Sequence, residues 1–224
     1  MQDDSEVTAG FMWQKTTRES KKYQLRGEIL SFIPVEKNVE VMLVTITNTG
    51  RMAQTVTPTA AIPLYGRSAD NIRDHRHVTS LLHRIETTDI GVLVTPTLSF
   101  DERGHQVNHM TYYCVGWSGN GEKPVDFYPT AEDFVGEGGN FERPYAIVKN
   151  AEGVKAGTRI EGLEAVGGLH FSEVTLEPEE ECSYLIFTGI TEDIQEIRNL
   201  SKTYTTREMV LEELEKTKAY WQEK

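Results

Sequence analysis

The residues best equipped for chemistry lie between Arg67 and Arg84. There Arg67-Ser-Ala-Asp-Asn-Ile-Arg-Asp-His-Arg-His-Val-Thr-Ser-Leu-Leu-His-Arg84 gathers four arginines and three of the six histidines. In a chain of net charge -12 this is a local reversal of sign. Arginine forks, carboxylates and imidazoles suit hydroxyl or phosphate recognition, so Arg73, Asp74, His75 and His77 are candidates for carbohydrate or domain contact. The same residues also suit a salt-bridged structural corner, in which Arg73, Asp74 and Arg76 bind backbone carbonyls and one another. His75 and His77 would share a face of a strand, a geometry open to a metal pair. No carboxylate or third histidine stands at a suitable further spacing, so no metal is assigned. Val78, Leu81, Leu82 and Ile85 also fit a helical face, which leaves the local conformation open.

A second group of candidates lies between Gly116 and Pro144. Six glycines (Gly116, Gly119, Gly121, Gly136, Gly138 and Gly139) alternate there with Trp117, Phe127, Tyr128, Phe134 and Phe141. The stretch reads as a long irregular loop, which in a compact domain either binds something or packs against a neighbour. Trp117, Tyr128 and Phe134 could stack on the C–H faces of sugar rings, or they could form a small core that holds the loop down.

Catalytic signatures are missing. A glycosidase needs two carboxylates flanking the bond, but 35 acidic residues make any chosen pair uninformative. The chain has no Gly-x-Ser-x-Gly elbow, P-loop or dinucleotide fingerprint, and Gly136-Glu-Gly-Gly-Asn140 is acidic where a phosphate cradle would not be. Neither a catalytic residue nor a cofactor is assigned.

The elements that must position these groups are mostly strands. The 224 residues can bury a sizeable core as one domain. Val39 to Thr47 is a β-rich run ended by the turn signal Asn48-Thr49-Gly50. Ile90 to Phe100 and Met110 to Trp117 read as a hairpin, with Gly104 suited to positive φ between them. Leu163 to Glu177 and Cys182 to Ile190 read as a second hairpin about the turn Glu177-Pro-Glu-Glu-Glu181. Beyond Thr191 the period becomes helical, through Ile194, Ile197 and Leu200, with Glu192 and Asp193 in the first turn.

A second helix is expected to start at the capping box Thr205-Thr-Arg-Glu208. Val210, Leu214, Thr217 and Trp221 form its apolar stripe, opposite Glu212, Glu215, Lys216 and Glu223. Such a stripe needs something to pack against, and Val210, Leu214 and Trp221 are candidates for docking a further domain. No glycine stop precedes Lys224, so the chain is expected to continue past it. The expected architecture is mostly β: a large antiparallel β-sandwich over residues 1–190 and a helical linker over residues 191–224.

The acidic balance argues against nucleic-acid or anionic-membrane partners. Cys114 and Cys182 are too few for a disulfide framework or a cysteine zinc site, and read as buried thiols. The N-terminus Met1-Gln-Asp-Asp-Ser-Glu is acidic where a signal peptide would be basic and then apolar, so cytoplasmic residence is expected.

Several stretches together resemble the N-terminal β-sandwich, or supersandwich, domain of glycoside hydrolase family 94, the inverting sugar phosphorylases. Val39 to Gly50 is similar to the family's strand followed by Asn-x-Gly. Phe134-Val-Gly-Glu-Gly-Gly-Asn-Phe-Glu-Arg-Pro144 is similar to its Phe-x-Gly loop leading to a proline. Glu164-Ala-Val-Gly-Gly to Thr188-Gly189 resembles the following hairpin, although Glu177-Pro-Glu-Glu replaces the common Pro-Gly turn. Thr205 to Trp221 resembles the linker helix before the catalytic barrel. Arg67 to Arg84 and Leu98-Ser-Phe-Asp-Glu-Arg-Gly104 are most similar to the 1,2-β-oligoglucan phosphorylase branch.

The resemblance implies a non-catalytic domain packed on an (α/α)6 barrel of the same polypeptide, contributing to a homodimer and to the rim of the sugar site. It implies β-linked gluco-oligosaccharide and inorganic phosphate as substrates of the whole enzyme. There, a barrel aspartic acid protonates the glycosidic oxygen while phosphate attacks the anomeric carbon. A free-standing carbohydrate-binding module is the competing expectation.

Overall fold

The computed structural model describes residues 3–66, 76–101 and 104–224. In chain order the first elements are strands β1 (Asp4–Gly10), β2 (Trp13–Ser20), β3 (Leu25–Phe32), β4 (Val39–Asn48), β5 (Gln54–Val56) and β6 (Thr59–Leu64). Helix α1 (Arg76–Ser80) precedes β7 (His83–Thr87), β8 (Gly91–Pro96), β9 (Leu98–Asp101), β10 (Gly104–Val107), β11 (Thr111–Ser118) and β12 (Asp126–Thr130). Helices α2 (Ala131–Val135) and α3 (Tyr145–Val148) follow, then β13 (Arg159–Glu161), β14 (Ala165–His170), β15 (Val174–Leu176) and β16 (Glu181–Thr191). The chain closes with α4 (Ile194–Thr203) and α5 (Arg207–Gln222).

One antiparallel sheet of nine strands, ordered β1-β2-β3-β4-β16-β11-β8-β7-β13, forms the middle layer. Strand alternation assigns its two faces. Val41, Leu43, Val115, Trp117, Leu185 and Phe187 point to one side, where Ile197, Tyr204, Val210 and Leu214 of the C-terminal segment cover them. Val92, Val94, Cys114, Tyr184 and Ile186 point to the other, where the three-stranded sheet β12-β14-β6 covers them with Phe127, Ala165 and Leu169. The central strands β11 and β16 are buried on both faces and read as near-continuous apolar runs.

The first expected hairpin is present: β8 pairs β11, and β9 pairs β10 beyond them, with Gly104 at φ 110°. The second is not. The turn at Glu177 exists, with the Glu180 amide bonded to the Glu177 carbonyl at 3.0 Å, but the strands before and after it part company. β14 pairs β12 and β6, β15 pairs β5, and β16 inserts between β4 and β11. The run from Leu163 to Glu177 breaks after His170 and belongs to different sheets on either side of the break. Nor is the glycine-rich stretch a single irregular loop, since β12 and α2 lie within it.

Asn48, fully buried at the end of β4, ties that strand to the β5–β15 ribbon. Its amide donates to the carbonyls of Met52 (2.8 Å) and Leu176 (2.9 Å) and accepts from the amide of Gly50 (2.8 Å) and Gln54 Nε2 (3.0 Å). Every donor of the amide is used, and its carbonyl takes two bonds.

The helices form largely as their caps predict. Asp193 caps α4 by accepting from the Gln195 amide at 2.8 Å. On α5 the cap is Thr206, one residue later than the capping box implies, and it accepts from the Met209 amide at 3.5 Å. The Thr205 hydroxyl turns instead to the Met209 sulfur. No helix among the described residues is long and apolar enough to cross a membrane.

Candidate functional site

Arg73, Asp74 and His75 lie outside the described residues, as does the side chain of His77. Where the segment becomes described, at Arg76–Ser80, its backbone is helical, so the strand that would align His75 with His77 does not extend through it. The helix delivers the chain to His83, which is 3% exposed and sets its Nδ1 3.1 Å from the Leu163 carbonyl. Burial lowers the His83 pKa, which keeps the ring neutral near pH 7. Among the described residues no group of three or more His, Cys, Asp or Glu is arranged to hold a metal ion.

The aromatic candidates are structural. Trp117 is 3% exposed, stacked on Phe187 at 4.8 Å, and donates its indole N–H to the Tyr204 carbonyl at 2.9 Å. Tyr128 is 2% exposed and donates its hydroxyl to the Ala151 carbonyl at 2.7 Å. Phe134, also buried, lies 5.8 Å from the Tyr128 ring and 5.7 Å from Phe141. Tyr128, Phe134 and Ala146 form a small core of their own that pins α2 and α3 onto β12. None of the three candidate rings presents a face on which a sugar could stack, and the module reading loses its aromatic platform.

That small core nevertheless shapes a cleft of about 340 Å³ lined by Tyr128, Glu132, Asp133, Glu137, Tyr145 and Glu152. Thr130 caps α2, accepting from the Asp133 amide at 3.1 Å, and Gly136 ends it at φ 77°. A side chain on Gly136 would also collide with Tyr145, whose Cβ lies 2.7 Å from where the new atom would sit. Beside the cleft, Phe141, Tyr145, Ile147 and Val148 are each about half exposed. This concentration of apolar surface is the kind that marks an interface.

Sequence reasoning missed one partly buried polar pair. Asp126 and His170, 44 positions apart on the paired strands β12 and β14, meet at 2.6 Å, with Tyr128 packed against the imidazole at 5.7 Å. No spacing rule announces such a pair; only the strand register creates it.

The docking residues on α5 divide. Val210 (0% exposed) and Leu214 (3%) are spent on the chain's own core, because the stripe lies on β4 and β16. They are therefore not free to dock on another domain. Trp221, 36% exposed and edge-on to Tyr220 at 5.3 Å, remains at the surface.

Comparison with known proteins adds the following. No curated protein sequence matches the chain. Among solved structures, a polysaccharide lyase, BACCELL_00875, aligns over 87% of this chain and 23% of its own, at 12% identity and a TM-score of 0.43. The chain thus spans less than a quarter of that protein's length. A protein family described as "Glycosyl hydrolase 94, supersandwich domain" matches residues 1–207. That span takes in the nine-stranded sheet, its three-stranded cover and α4, and the chain belongs to the glycosyl hydrolase 94 supersandwich family.

Proposed function

We propose that this chain is the non-catalytic N-terminal domain of an inverting β-glucoside phosphorylase, acting on β-linked gluco-oligosaccharide and inorganic phosphate. In this reading it packs on an (α/α)6 catalytic barrel, helps to form a homodimer and lends loops to the rim of the sugar site. The family match over residues 1–207 carries the reading. The half-exposed Phe141, Tyr145, Ile147 and Val148 support it, since they leave apolar surface open on which a further domain could pack. The barrel supplies the general acid, and phosphate is itself the nucleophile, so the sandwich needs no catalytic group.

The test is phosphorolysis. Glucose 1-phosphate formation from β-linked gluco-oligosaccharides is measured for the 224-residue chain alone and for the chain joined to a family barrel. Activity only in the joined protein is the expected result. Turnover by the chain alone would overturn the proposal.

A further inference from the structure

Just after α1, at the first residue of β7, His83 lines a small recess together with Tyr65, Thr79, Ser80, Phe141 and Glu164. The recess is about 40 Å³, room for one hydroxyl-sized group. His83 sets its chemistry. The residue is 3% exposed, and its Nδ1, 3.1 Å from the Leu163 carbonyl, holds the ring proton and donates it there. Burial, which lowers the pKa of the ring, leaves Nε2 with its lone pair. The Gly66 backbone passes beside Nε2, yet no hydrogen bond of proper geometry reaches that buried atom. An acceptor kept from water without a donor is costly, and such a group calls for an explanation.

The surroundings indicate which donor suits it. Thr79 and Ser80, both 5% exposed, bring hydroxyls that give or take a hydrogen bond, and the charge of Glu164 acts on the imidazole. A ligand hydroxyl uses this set fully, because it gives to a nitrogen or carboxylate and accepts from another hydroxyl, whereas an ammonium only gives. The rings of Tyr65 and Phe141, 53% and 49% exposed, border the same recess. Half-open aromatic faces beside a polar recess of this size suit the C–H face of a sugar ring.

We propose that this recess takes one hydroxyl of a glucoside, which donates to His83 Nε2 while the sugar ring rests against Tyr65 and Phe141. It is a sugar contact made by the sandwich itself, on rings other than Trp117, Tyr128 and Phe134. The kind of sugar rests on the domain reading above; the place and its preference for a hydroxyl rest on the structure alone.

Nitrogen-15 NMR of the histidine rings tests the site, with the 224-residue chain titrated with methyl β-glucoside. The signals lost in His83→Gln are those of His83. The expected spectrum places the proton on Nδ1, and the sugar moves the Nε2 signal saturably towards that of a hydrogen-bonded acceptor while Nδ1 stays in place. Tyr65→Ala and Phe141→Ala change half-exposed rings and are each expected to weaken the titration about threefold to tenfold. A proton found on Nε2, an Nε2 signal that the sugar does not move, an equal shift with methylammonium, or full affinity in either aromatic variant overturns the proposal. Phosphorolysis by the joined protein is measured separately, so the site and the domain reading fail independently.

Discussion

The indole of Trp117 and the carbonyl of Tyr204 are joined by a buried hydrogen bond of 2.9 Å, and that bond fastens the last turn of α4 to the middle of the large sheet. Phe187 lies between the two rings, stacked at 4.8 Å on Trp117 and at 5.5 Å on Tyr204. Trp117→Phe keeps an aromatic ring but strands the carbonyl in an apolar core. The expected loss is about 1–3 kcal/mol, read as a lower urea midpoint. An unchanged midpoint would show that the bond contributes nothing.

Asn48 is the second fastening. Asn48→Ala leaves the carbonyls of Met52 and Leu176 without their donor and opens the clasp between β4 and the β5–β15 ribbon. A destabilisation of about 3 kcal/mol is expected. Asn48→Asp keeps the acceptor side, towards Gly50 and Gln54, but removes both donors, and it should be at least as damaging because it buries a charge. If Asn48→Asp proves neutral in denaturant titrations, the donor bonds do not hold the ribbon.

Alkaline pH should weaken the fold. Burial pushes the Cys114 thiol from 9.0 up to about 12, and burial with the nearby Glu196 carboxylate pushes the Tyr113 phenol from 10.0 up to about 12. The native state then holds protons that the unfolded chain releases, so this stability is complete below the unfolded pKa values and declines as pH rises from them towards the folded ones. The urea midpoint is expected to fall progressively above about pH 9. Cys114 should also resist thiol reagents until the protein unfolds. A midpoint independent of pH in this range, or rapid native labelling of Cys114, would contradict the buried placement.

On α5, Leu214→Ala and Trp221→Ala should part sharply. Leu214 is 3% exposed within the core, and its truncation is expected to cost about 2–5 kcal/mol. Trp221 is 36% exposed and its truncation should shift thermal unfolding far less. Equal effects would mean that the helix packs on a different face.

Local signals made much of this fold legible. The β-rich run Val39 to Thr47 with its turn signal, and the capping box beginning at Thr205, announced a strand and a helix start, because β-propensity, turn chemistry and cap chemistry act within a few residues. What could not be read was the partner of each element. The α5 stripe showed that something must cover Val210 and Leu214, and the answer was the chain's own β4 and β16 rather than a second domain. Trp117 and Tyr128 read equally as ligand platforms or anchors, since a ring in a strand carries no mark of what lies above it. The Asp126–His170 pair depends on a register between strands 44 residues apart, which nothing local encodes.

The place of β16 between β4 and β11 bears on how the protein is made. On the ribosome, β4 and β11 emerge long before residues 181–191, so the growing chain carries two half-sheets with open inner edges and bare apolar faces. Synthesis of β16 closes both edges in one step, joining the early and late halves of the polypeptide. A nascent chain halted short of Glu181 therefore lacks the strand that joins the two halves, and leaves the inner edges of β4 and β11 unpaired.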